Sequence, residues 1–122
     1  MPQIYIEYSA NITQVNFEEI LKHINANVAK IVEVSPNRCK GRLIKYPDFL
    51  IGDAYNAEDA FIFVQVCIQA KRSELQKQQI GDAVLQILKD FAMPKLTDQK
   101  LKCSPRVEVR GFDLYLFSDW TS

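Results

Sequence analysis

"AFIFVQVCIQAKRSELQKQQI", residues 60–80, runs from a strand into a helix and marks the border between them. Ile62, Val64, Val66 and Ile68 recur at every second position, the period of a strand with one face in a core. Phe61, Phe63 and Cys67 occupy the alternate positions, so both faces of this strand read as apolar. Ser73 and Gln76 then stand at the spacing of a capping box. Leu75, Ile80, Val84, Leu88 and Phe91 follow as the apolar positions of the helix, and Pro94 is expected to close it, since proline breaks the backbone ladder.

The same plan precedes this stretch. Residues 3–8 alternate, with Ile4 and Ile6 on one face and Gln3, Tyr5 and Glu7 on the other. Asn16 offers a helix cap with Glu19 three residues on, ahead of Phe17, Ile20, Leu21, Ile24, Val28 and Ile31. "CKGRLIKY", residues 39–46, reads as a second strand, and "PDFLIGDAYNAED", residues 47–59, as turn-forming chain. After a polar connector, "RVEVRGFDLYLF", residues 106–117, supplies a last strand with a bend expected at Gly111. Two strand-helix-strand units in tandem predict an α+β, two-layer fold. Right-handed crossovers make the strands within each unit parallel and put two helices on one face of a four-stranded mixed sheet.

Residues 1–122 are enough for a single domain with a real core and too few for two. On the uncovered side of the sheet, leaving Phe61 and Phe63 in water forfeits about 1.5–3 kcal/mol each. Self-association through that face is therefore expected.

Fifteen basic residues balance fifteen acidic ones, which argues against the phosphate neutralisation that nucleic-acid binding requires. Cys39, Cys67 and Cys103 lack the paired spacing of a zinc site or disulfide framework, and read as free thiols in a reducing compartment. The first residues resemble no secretion signal, and no apolar run approaches the roughly 18 residues of a membrane span. A cytoplasmic protein with no membrane partner is expected, and the glycosylation pattern Asn11-Ile12-Thr13 reads as accidental.

Catalytic equipment is sparse. The single histidine, His23, falls in the first helix as a surface or boundary residue, and no Gly-rich phosphate loop, Ser-His-Asp set or metal cluster is visible. What remains is the amino terminus. With Met1 removed, Pro2 exposes a secondary amine, one of the few groups able to titrate near neutrality and so to act as a general base. Lys71 and Arg72 precede the capping Ser73 at a helix start, where the macrodipole disfavours positive charge, so a bound anion is one explanation for them and solvated surface another. Lys40 and Arg42 alternate along the second strand and share a face, either as a second cationic pair or as a plain edge.

The opening "MPQIYIEYSANI", the strand "KGRLIKY", the turn "IGDA" and the helix "RSELQKQQIGDAVLQIL" together resemble the 5-carboxymethyl-2-hydroxymuconate isomerases of the tautomerase superfamily, from Met1 to about Phe91. The resemblance implies a cytoplasmic homotrimer without cofactor or metal, in which Pro2 is the catalytic base. It implies a small unsaturated di- or tricarboxylate substrate from the breakdown of aromatic compounds, its carboxylates bound by Arg72 and by the second-strand cations Lys40 and Arg42. Lys40 stands where that family has arginine, trading a planar two-pronged donor for a point charge. The final "RGFDLYLFSDWTS" ends aromatic where the family ends polar and basic.

A cofactor-independent isomerase is thus the expected activity, with Pro2 moving a proton along a conjugated keto/enol acid. A tautomerase acting on a different 2-keto acid would keep the same site. A non-catalytic oligomeric interaction protein on the same scaffold is the reading from another class.

Overall fold

The computed structural model describes residues 1–112, Ser118 and Trp120. Its elements are β1 (Gln3–Ser9), α1 (Phe17–Val32), a 3-10 turn (Pro36–Arg38), β2 (Lys40–Tyr46), β3 (Ile62–Gln69), α2 (Glu74–Phe91), α3 (Met93–Asp98) and β4 (Arg106–Phe112). The last strand expected from sequence extends through residues 113–117, which lie outside the described residues.

The sheet order is β2-β1-β3-β4. β1 is parallel to β2 and β3 to β4, as the two-unit reading predicts, and the antiparallel pairing of β1 with β3 at the centre makes the sheet mixed. Ile4 and Ile6 of β1 and Ile62, Val64, Val66 and Ile68 of β3 are all but fully buried beneath Ile20, Ile24 and Val28 of α1 and Ile80, Val84 and Leu88 of α2. Burying one such side chain contributes about 1.5–3 kcal/mol, so this layer is the source of stability that holds the sheet to its helices.

Both predicted caps form. Asn16 Oδ1 accepts from the Glu19 amide at 3.1 Å. Ser73 Oγ accepts from the Gln76 amide at 3.1 Å, while the Ser73 amide donates to Gln76 Oε1 at 3.0 Å. Gln76 Nε2 also donates to the Ile31 carbonyl at 3.2 Å, tying the start of α2 to the end of α1. At Gly41 a Cβ would lie 2.5 Å from Leu21 Cδ1, so the missing side chain is what lets α1 settle closely on β2.

Four expectations need correction. Leu75 is 66% exposed rather than part of the apolar face of α2. Five residues separate it from Ile80, a rotation of about 140° at 3.6 residues per turn, so it leaves the stripe that Ile80, Val84 and Leu88 share. Phe91 is 40% exposed at the helix end and stacks on His23 with ring centroids 4.6 Å apart, which also puts His23 at the surface as expected. The polar connector contains α3, with Pro94 in its first turn, where a missing amide donor costs nothing. Gly111 does not bend β4: it stays in register with Ile68, and its lack of a side chain makes room for Lys77.

The open sheet face differs as well. Phe61 packs against Tyr46 and against Phe49 of the connection after β2, at centroid distances of 5.9 and 6.0 Å. Register places Gln3, Tyr5, Lys40, Arg42, Gln65, Arg106, Glu108 and Arg110 around Phe63 and Cys67. The face is therefore mixed, because the strands flanking β3 bring charge to it.

Cys39, Cys67 and Cys103 are free thiols, and burial pushes all three up from the ordinary value of 9.0. At Cys67, Arg110 and Arg42 pull the other way. A thiol that resists ionisation in the fold lets the unfolded chain lose its proton first, so the associated stability is intact below pH 9.0 and is lost as pH climbs toward the raised folded value. Thermal melts should therefore fall more steeply above that pH in the natural chain than in Cys39→Ala, and parallel slopes would contradict it.

Candidate active site

Three chain segments meet at one end of the sheet. β1 begins there, β2 begins beside it in parallel, and antiparallel β3 ends there, with Gln3 in register with both Lys40 and Cys67. Pro2, one residue ahead of β1, is buried and held by a hydrogen bond from the Lys40 amide to its carbonyl at 3.1 Å. Its position in the sheet is thus set by backbone pairing.

A cleft of about 190 Å³ opens at this end. Val32, Val34 and Ile68 give it apolar wall, Met1 and Pro2 lie along it, and Arg38, Lys71 and Arg72 supply cations. Val32 and Val34 flank Glu33, whose left-handed backbone (φ 59°) turns the chain out of α1. Arg72 is set by a turn in which its amide donates to the Gln69 carbonyl at 3.1 Å. Arg38 closes the 3-10 turn, its amide donating to the Ser35 carbonyl at 2.9 Å.

None of the described residues that line the cleft is acidic. Among the described residues no carboxylate lies within ion-pair distance of Arg38, Lys71 or Arg72. Three cations without a carboxylate partner among the described residues, beside an apolar wall, can hold an anion that carries a hydrocarbon body. Cys39 is buried at the same end; burial raises its thiol, and the positive charge of the chain's amino terminus partly offsets this.

Of the residues singled out from sequence, Pro2, Lys71 and Arg72 come together. Lys40 and Arg42 do not line the cleft. Lys40 Nζ donates to the Asn37 carbonyl at 3.0 Å, and the Arg42 guanidinium carbon sits 4.7 Å from the Tyr5 ring centroid, a cation–π contact on the open sheet face. Arg38 was not singled out from sequence. It lies in "SPNR", which reads as a connection, and a turn residue has no periodicity to betray where it points. Larger, shallower depressions of about 580 and 710 Å³ lie over α1 and between α2 and β4, away from the amino terminus.

Residues 2–114 match the family model for 5-carboxymethyl-2-hydroxymuconate isomerase. No curated protein matches the chain. A solved 5-carboxymethyl-2-hydroxymuconate isomerase from Deinococcus radiodurans R1 superposes with a TM-score of 0.76 at 22% identity, covering 99% of this chain and 88% of that one. A 5-carboxymethyl-2-hydroxymuconate delta-isomerase gives 0.83 at 13% identity over 99% and 89% of the two chains. A fused 4-OT symmetric trimer gives 0.66 at 19% identity over 91% and 85%. At these identities the structural likenesses are likenesses of fold. Among the described residues, no helix is long and apolar enough to cross a membrane.

Proposed function

The chain belongs to the 5-carboxymethyl-2-hydroxymuconate isomerase family and is an isomerase, and from that premise we propose that Pro2, freed of Met1, is the general base that moves a proton along a small unsaturated keto/enol di- or tricarboxylate. The observation that carries this reading is that Pro2 shares one cleft with three cations that lack carboxylate partners among the described residues. A terminal secondary amine there has a lone pair to accept a proton, whereas an amide nitrogen has none. Neighbouring cations disfavour its protonated form, which keeps the base available near neutral pH.

The reaction needs no cofactor in this scheme. Pro2 takes a proton from the enol oxygen or from an allylic carbon of the substrate. The charge left on the conjugated chain is a dienolate, which the Arg72 guanidinium stabilises while holding a carboxylate. The same nitrogen returns the proton at another carbon, shifting the double bond. Chain isomers on a six-carbon scale suit a cleft smaller than the roughly 300–1,000 Å³ of sites for drug-sized ligands.

The working assembly in this reading is a homotrimer, as in the fused 4-OT neighbour. Lys40 and Arg42 do not line their own chain's cleft, so in this reading its carboxylate contacts fall to the cations that do. Breakdown of aromatic compounds is the setting that the family's name suggests, and a cytoplasmic location is part of this proposal.

Replacing Arg72 tests the carboxylate contact. A charge-assisted hydrogen bond contributes about 1.5–3 kcal/mol, so Arg72→Ala should lower kcat/KM by about 10- to 100-fold with an unchanged melting temperature. Steady-state kinetics on a dienol acid at neutral pH measure this; a loss under twofold would remove Arg72 from the site.

A further inference from the structure

Building on the reading above, we propose that Arg38 is the second carboxylate-binding residue of the cleft and selects dicarboxylates over monocarboxylates. β1 lies between β2 and β3 in the sheet. Arg38 is delivered from the β2 side, two residues before that strand starts, and Arg72 from the β3 side, three residues after that strand ends. Pro2 stands between them at the head of β1, with both arginines lining its cleft. Two strand spacings separate the chains that carry the arginines, about 9–10 Å. Val32, Val34 and Ile68 supply apolar wall to the same cleft.

A linear acid with a carboxylate at each end matches that arrangement. One end meets Arg72, the other meets Arg38, and the unsaturated chain crosses Pro2. The backbone of Arg38 is fixed by the 3-10 turn, in which Pro36 pre-sets one dihedral and the Cys39 amide donates to the Pro36 carbonyl at 3.0 Å. The side chain is exposed, without a carboxylate partner among the described residues. The two cations that sequence assigned to this task are engaged elsewhere: Lys40 with the Asn37 carbonyl, and Arg42 with Tyr5. A guanidinium offers the two-pronged donor that the ammonium of Lys40 lacks.

The test uses binding, so it does not depend on turnover. trans,trans-Muconate and sorbate share a six-carbon diene and differ in having two carboxylates or one. Calorimetric titration of the natural chain at low salt should give muconate at least tenfold tighter than sorbate. Arg38→Ala should remove most of that difference by weakening muconate tenfold or more and sorbate less than twofold, and Arg38→Lys should recover part of it. Equal affinity of the natural chain for the two acids, or equal weakening of both in Arg38→Ala, would overturn the proposal. A failure of the Pro2 mechanism would look different: dienol turnover would be missing while Arg38-dependent muconate binding persisted.

Discussion

Protein that begins at Pro2 is expected to isomerise a dienol acid about 10²- to 10⁴-fold faster than the same protein retaining Met1, the range that a positioned general base contributes. Retention acts twice. It converts the Pro2 nitrogen into an amide, whose lone pair is delocalised into the carbonyl, and it leaves the Met1 residue along the cleft that the substrate would use. The fold should be indifferent to the change, because the strand pairing that holds Pro2 runs through its carbonyl rather than its nitrogen. Intact-mass measurement separates the two forms, and kinetics on each gives the ratio. Equal rates would mean that the base lies elsewhere.

The second large effect is on stability. Leu88→Ala should destabilise the fold by about 2–5 kcal/mol, since Leu88 is fully buried between α2 and the sheet and its removal leaves a cavity. Leu75→Ala, on the same helix, should change stability by no more than about 0.5 kcal/mol, because Leu75 is 66% exposed. Both leucines read as apolar positions of one helix, but the helical angle between them and the structure set them on different faces. Urea denaturation of both variants checks the contrast, and comparable losses would contradict the packing of α2.

Much of the fold is legible in the residues because the signals are local. Ile4, Ile6 and the β3 isoleucines and valines declare their strands by period, and Asn16 and Ser73 declare the helix starts by chemistry that the structure reproduces. Parallel pairing within each unit follows from crossover handedness. What escapes is set by contacts between distant segments. The charge beside Phe63 comes from its register partners Glu7 on β1 and Arg106 on β4, which alternation within β3 cannot report. α3 spans six residues, too few to establish a helical period.

The candidate site divides the same way. Pro2 stands out by its place in the chain, and Lys71 with Arg72 by sitting where a helix dipole disfavours them. Lys40 and Arg42 share a face as alternation requires, yet neither lines the cleft. Arg38 becomes visible when the turn before β2 is folded against the end of β3.

Whether Pro2 is an uncharged, reactive nitrogen can be measured by covalent trapping. 2-Oxo-3-pentynoate is a small keto acid with an electrophilic alkyne, and a neutral amine adds to it by forming a carbon–nitrogen bond while a protonated amine does not. Treatment of Pro2-initiated protein at neutral pH, followed by digestion and peptide mass spectrometry, should find one added reagent mass on Pro2, appearing in step with loss of activity and slowed by muconate. Modification of Lys71 or a cysteine instead, with Pro2 untouched while activity is lost, would contradict the assignment of the amino terminus as the base.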